Sequence, residues 1–276
     1  VTVEGKSASA GQHSVGTDIP AFDTGIAHQA RMYDYLLGGK DNFAADREAG
    51  EAMIAAYPDT VAALRANRQF LRRVIRYLAG DAGIRQFLDI GTGIPTAPNV
   101  HQVAQEIAPE CRVVYVDYDP VVLSYARALL TSTPEGVTDY VDADLRNTDA
   151  VLERAAGILD FSQPVAVTVL MTLHAIADAD DPHGIISRIM SALPAGSYLA
   201  LTHPASDIES DKMADLMQRL NRLSFQQYTV RDHLDVARFF AGLEFVDPGL
   251  VPVGQWHPVV ETSQVIPVWT GVGHKP

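Results

Sequence analysis

From residue 85 onward, short apolar runs alternate with longer amphipathic stretches. The runs predict strands at 86–90, 112–117, 137–142, 165–171 and 197–202, and the stretches predict helices at 98–108, 120–131, 148–158, 183–192 and 208–223. A further helix, Val230 to Ala241, precedes a strand-like Leu243 to Val246. The end, Val265 to Val272, reads as a strand with Pro267 inside it, which a sheet tolerates only at an edge or a strand start. Upstream the pattern is helical. Ala27 to Leu37 breaks at Gly38-Gly39, Ala44 to Tyr57 closes at Pro58, and a third helix runs from a cap at Asp59 or Thr60 to Leu78, ending at Gly80. Residues 1–17, rich in Gly, Ser, Ala and Thr, read as a mobile tail.

These elements divide the chain into a tail (1–17), an N-terminal helical lid (18–80) and a nucleotide-binding domain (81–276). Alternating strands and helices with right-handed crossovers imply an α/β, doubly wound, mostly parallel sheet of seven strands. Ligands of such sheets lie outside the carboxyl ends of the strands at the switch point. That rule gathers Gly91–Gly93, Asp117–Tyr118, Ala143–Leu145 and Leu170–His174 around one crevice.

The turn after the first strand narrows the ligand. Gly91-Thr92-Gly93 lets the backbone approach closely, but the third glycine of a dinucleotide site is replaced by Thr96, after Pro95. Asp89 stands two positions before the turn. A carboxylate there suits the cationic sulfonium and ammonium of S-adenosylmethionine better than a pyrophosphate. Asp117 closes the second strand near the roughly 20-residue spacing expected of a ribose-binding acid, with Tyr118 beside it. Asp119, before Pro120, competes for that role or caps the next helix. Asp144 can accept from an exocyclic amine while the Leu145 N–H donates to a ring nitrogen, which would read adenine. The alternative there is a polar strand end, with Asn147 or Thr148 as a cap.

His174 follows the fourth strand where a reactive methyl should emerge, and it can act as a general base or as a packing residue. His203 closes the fifth strand as its rival. His101, His183, His233 and His257 lack metal-ligand spacing, so no metal is expected. The run Arg31 to Asn42 is dense in polar and aromatic groups around Gly38-Gly39. It reads as a hinge of the lid or, equally, as a helix C-cap with a surface loop. On the first reading, Arg31 and Tyr33 contact the cofactor, with Lys40 the alternative to Arg31 for its carboxylate.

Composition removes several classes. Of 276 residues 47% are hydrophobic, and a net charge of −13 argues against nucleic acid or an anionic membrane as main partner. The basic run Arg65, Arg68, Arg72, Arg73, Arg76 reads as the outer, solvated face of a helix. The single cysteine, Cys111, excludes a disulfide framework and reads as a core residue. No apolar run approaches a membrane span and no signal-peptide pattern opens the sequence, so a cytoplasmic protein is expected.

Several runs resemble a bacterial S-adenosylmethionine-dependent methyltransferase-like family, formerly catalogued as a domain of unknown function. They are Ala30 to Phe43 with its Leu-Leu-Gly-Gly-Lys-Asp core, Ala66 to Leu71, Ile84 to Pro95, Asn99-Val100-His101, Val113 to Pro120, Ala143 to Arg146, Leu173-His174, Gly196 to Leu199 and Pro248 to Val251. The resemblance implies a Rossmann-like class I methyltransferase fold with an S-adenosylmethionine pocket and leaves the substrate open. One departure is Pro95, which removes a backbone donor where the broad pattern has a third glycine. The leading expectation is methyl transfer to a small-molecule acceptor. The alternatives are a non-catalytic sensor of S-adenosylmethionine or a related nucleoside and, disfavoured by Thr96, a nicotinamide oxidoreductase. Neither the acceptor atom nor the oligomeric state follows from the sequence.

Overall fold

The first strand, β1 (Gln86–Ile90), is buried along its whole length. It lies between β2 (Arg112–Asp117) and β4 (Ala166–Leu170), parallel to both. The protein is described by a computed structural model over residues 23–129, 131–224, 227–259 and 265–276. The predicted tail, 1–17, lies outside those residues. β3 (Val137–Asp142) pairs beyond β2, and β5 (Tyr198–Pro204) pairs beyond β4. The order is β3-β2-β1-β4-β5-β8-β6, in which β8 (Val268–His274) runs antiparallel to β5 and to β6 (Glu244–Phe245). This is the expected seven-strand path. An eighth strand, the two-residue β7 (Val251–Pro252), pairs with β8 off the path.

The central strands β1, β2, β4 and β5 are apolar because both faces are covered. Val113 and Tyr115 face α3 (Thr60–Arg76) and α4 (Val100–Ile107) in one core, with Cys111 buried among them. Val114 and Val116 face the other way, into a core shared with α6 (Thr148–Ala156) and α7 (Pro182–Ser191). The strand order reverses between β1 and β4, so the β1 and β2 ends flank the crevice from one side and the β4 end from the other. A third cluster joins α1 (Gln29–Leu36), α2 (Ala44–Ala56) and α8 (Ser210–Leu223) through Met32, Ala49, Met213 and Leu216.

Two expectations are corrected in detail. The last strand starts at Val268, just after Pro267, because proline cannot donate to the ladder. The helix expected over Val230–Ala241 is only α9 (His233–Ala237) plus a 3-10 turn. Asp232 caps it by accepting from the Asp235 N–H, and Arg231 before it is drawn into a bridge with Ala205. Between β2 and β3, α5 (Pro120–Leu129) completes the crossover. Among the described residues no helix is long and apolar enough to cross a membrane.

Candidate functional site

The ends of β1, β2, β3 and β4 open into one crevice, a cavity of about 120 Å³. It gathers Asp89, Gly91, Thr92, Gly93, Asp117, Tyr118, Asp144 and Leu145, as the strand-end rule expects. Gly91 and Gly93 have φ of 71° and 65°, which glycine adopts without steric cost. A side chain on Gly91 would collide with Thr172 of the β4 end.

Asp117 accepts from the Gly93 N–H at 2.9 Å and from the Tyr118 and Asp119 N–H groups at 2.8 and 3.0 Å. Its carboxylate is thereby aimed along the glycine turn. Asp119 does not line the crevice. It accepts from the Val121 N–H at 2.8 Å and stands 2.8 Å from His28 Nδ1, the helix-start role of the two considered. Asp89 is buried against the Thr168 hydroxyl. Burial pushes its carboxyl up to about 6, against the opposing pull of Thr168 and Arg68, and burial also raises Asp117. Two reluctant carboxylates in one crevice favour a cationic ligand. Asp144 also lines the crevice, but the Arg146 guanidinium grips its carboxylate, with Nη2 2.5 Å from Oδ2.

Arg31 is not at the crevice. It is 3% exposed, its Nε lies 3.1 Å from Asp46, and its Nη2 donates to the Ile26 carbonyl at 2.5 Å. Asp46, fully buried on α2, also accepts from the His28 and Phe43 N–H groups. A buried carboxylate needs a cation, and Arg31 serves it rather than a ligand. Lys40, the alternative, is exposed on the loop after α1. That loop is a helix C-cap. Asp34 accepts from the Asp41 N–H and the Asn42 amide, both at 2.9 Å, and any side chain on Gly39 would strike Asp34.

The guanidinium in the crevice is Arg68 of α3, whose Nη2 donates to the carbonyls of Thr96 and Pro98. In the basic run, Arg65, Arg72 and Arg76 are exposed as expected, but Arg68 and Arg73 are half-buried. Arg73 donates to the Trp256 and Val253 carbonyls. The available signal was Asn67, a polar residue on the apolar side of α3, in the run Ala66–Leu71. It donates to the Tyr33 hydroxyl at 3.1 Å and accepts from Thr202 at 2.8 Å. Tyr33 and Gln29 of α1 also line the crevice, and Gln29 donates to the Met171 carbonyl at 2.7 Å.

His174 does not line the crevice with its neighbours Met171 and Thr172. The 3-10 turn Leu173–Ala175 rotates it into an adjoining apolar chamber of about 80 Å³ between α1, α2, α3 and α8. Its ring stacks on Tyr228 at 5.3 Å, and Nδ1 is buried with no hydrogen-bond partner among the described residues. Burial, aided by the Arg231 charge, lowers its pKa to about 4, so the imidazole is neutral at ordinary pH. His203, the rival, is wholly buried. Its Nδ1 donates to the Pro204 carbonyl at 2.9 Å and its Nε2 accepts from Arg231 at 2.8 Å. Arg231 also donates to the Leu173 and Ile176 carbonyls and pairs with Asp178 at 2.6 Å, fixing the turn that carries His174. Crevice and chamber share Gln29, Tyr33 and Met171 as a common wall. Met171 holds a strained φ of 52° at that junction.

The profile of the S-adenosyl methyltransferase family matches residues 16–276. A solved DUF574-family protein from Streptomyces avermitilis is 43% identical, with a TM-score of 0.87 over 92% of this chain and 99% of that one. A protein from Thermobifida fusca, provisionally assigned as a methyltransferase, is 35% identical, with a TM-score of 0.85 over 95% and 99% of the two chains. A search of the curated proteins finds no match.

Proposed function

The chain belongs to the S-adenosyl methyltransferase family, and from that premise we propose that it methylates a small-molecule acceptor seated in the apolar chamber. It is a class I, S-adenosylmethionine-dependent methyltransferase with a Rossmann-like fold, so the sensor and oxidoreductase alternatives fall away. The donor set of the crevice fits the cofactor. Two buried carboxylates, a guanidinium and a glycine turn match its cations, carboxylate and ribose. When bound, S-adenosylmethionine supplies a methyl group already activated by the sulfonium, which an acceptor's lone pair can take.

In this reading Asp117 holds the ribose hydroxyls, and Asp89 faces the cationic end beside Gly91, Thr92 and Gly93. Tyr118, Asp144 and Leu145 flank the adenine, and Arg68 takes the carboxylate in place of Arg31. Gln29 and Tyr33 of α1 cover the site and exclude water. His174, neutral and lining the chamber, is the group that takes the acceptor's proton. The observation that carries this reading is the common wall: Gln29, Tyr33 and Met171 border both spaces, so the two lie one layer of side chains apart.

The test is incubation with methyl-labelled S-adenosylmethionine and a cell extract fractionated by size. Label is expected in the low-molecular-weight fraction. Label confined to protein or nucleic acid would overturn the reading.

A further inference from the structure

We propose that the acceptor is an uncharged, flat, apolar compound bearing one reacting hydroxyl or amine, selected by a methionine-lined chamber. The inference rests on reading that chamber as the acceptor's seat. The protein has six methionines. Met32, Met53, Met171, Met213 and Met217 line the chamber, and only Met190 lies elsewhere, in the core behind the sheet. Methionine is flexible and polarisable, and its sulfur makes favourable contacts with aromatic rings. A wall so enriched conforms to a flat apolar guest rather than demanding one outline.

The polar atoms of the wall are already engaged. The Tyr57 hydroxyl donates to Glu209 at 2.6 Å, the Thr60 hydroxyl to the Tyr57 carbonyl at 2.6 Å, and Tyr33 is held by Asn67. Gln29 is spent on the Met171 carbonyl. No Asp, Glu, Lys or Arg lines the chamber among the described residues. A charged group entering it would lose water and gain no counter-ion, a penalty that excludes carboxylates, phosphates and ammonium groups. Among the described side chains of the wall, the imidazole of His174 is left to meet a polar guest. It stands two to three residues from Thr172 and Met171 at the mouth of the crevice. The acceptor's nucleophile therefore lies at that end, and its apolar body lies toward α8.

The experiment measures binding to the full chain saturated with S-adenosylhomocysteine, following the fluorescence of three probes: neutral 2-naphthol, 2-naphthoate and 2-naphthylmethylammonium. The neutral probe is expected to bind at least about tenfold more tightly than either ion. Met217→Glu, at a half-buried wall position, should weaken 2-naphthol by about tenfold while S-adenosylhomocysteine affinity, read by calorimetry, changes less than about twofold. Retained cofactor affinity shows that the variant is folded. A charged probe binding as tightly as 2-naphthol overturns this inference and leaves the small-molecule reading standing. Failure of all three probes on cofactor-loaded protein overturns both.

Discussion

The crevice is built mainly from strand ends, whereas the apolar chamber beside it is built mainly from helices, α1, α2, α3 and α8. The crevice carries two carboxylates whose pKa burial raises. The chamber is apolar and carries one imidazole, whose Nδ1 has no hydrogen-bond partner among the described residues. On the proposed reading the difference separates two tasks. Holding a cationic nucleoside takes several fixed polar groups at known backbone positions. Admitting a neutral acceptor takes shape, dryness and one proton acceptor.

The sharpest way to break this contrast is at His174. His174→Asn is expected to lower kcat by about 10²–10⁴, the range of one general base. The assay uses the acceptor found by labelling, and S-adenosylhomocysteine affinity should stay unchanged. With its pKa lowered to about 4, the ring stays neutral as pH falls through 6.5. The acidic limb of kcat should therefore lie near 4. A limb near 6.5, or an unaffected kcat in His174→Asn, would return His174 to a packing role.

Next in size is the pair of arginines that sequence and structure assign differently. Arg31→Ala strands the buried Asp46 carboxylate and is expected to cost about 3–5 kcal/mol of stability, read by urea denaturation. The folded fraction should bind S-adenosylhomocysteine normally. Selective loss of binding without loss of stability would put Arg31 back at the cofactor.

On the crevice side, Asp117→Ala should weaken S-adenosylhomocysteine by about 1.5–3 kcal/mol, the worth of hydrogen bonds to a charged group. Arg68→Ala is expected to fall in the same range. Calorimetry on variants with unchanged melting temperature distinguishes these losses from unfolding. If Asp119→Ala removes binding and Asp117→Ala does not, the ribose belongs to Asp119.

The smallest effect is one of pH. Asp89 has its folded pKa raised to about 6, so its negative charge is lost as pH falls through that value. Affinity for the cationic cofactor end should decline below pH 6 by at most about tenfold per unit, the limit for one proton. Asp89→Asn should flatten the profile. The same raised pKa favours the folded state below the unfolded carboxyl value, and that contribution is lost as pH rises through 6. His174 and His101, both lowered to about 4, act oppositely: their contribution is present above 6.5 and lost as pH falls toward 4. The acid loss of stability should therefore be steeper in Asp89→Asn than in the parent.

The sequence alone determined the sheet, the order of its elements and the crevice. Strand alternation is a local property, and a residue at the end of a parallel strand is carried to the ligand edge by the strand itself. Asp89, Gly91, Gly93, Asp117, Asp144 and Leu145 could therefore be named before any contact was known. Only the tertiary structure decided the rest. Arg31 and Arg68 both sit on N-terminal helices in polar runs, and no local pattern tells which guanidinium meets Asp46 and which meets the loop after the glycine turn. That choice depends on how α2 and α3 pack. His174 was placed at the right strand end, but the 3-10 turn after β4 sends it into the neighbouring space. The chamber had no signature because its walls come from four helices far apart in the chain, each apolar for the same reason as any core helix. Apolar side chains state that they avoid water. Whether they close on one another or around a guest is fixed only when the helices meet.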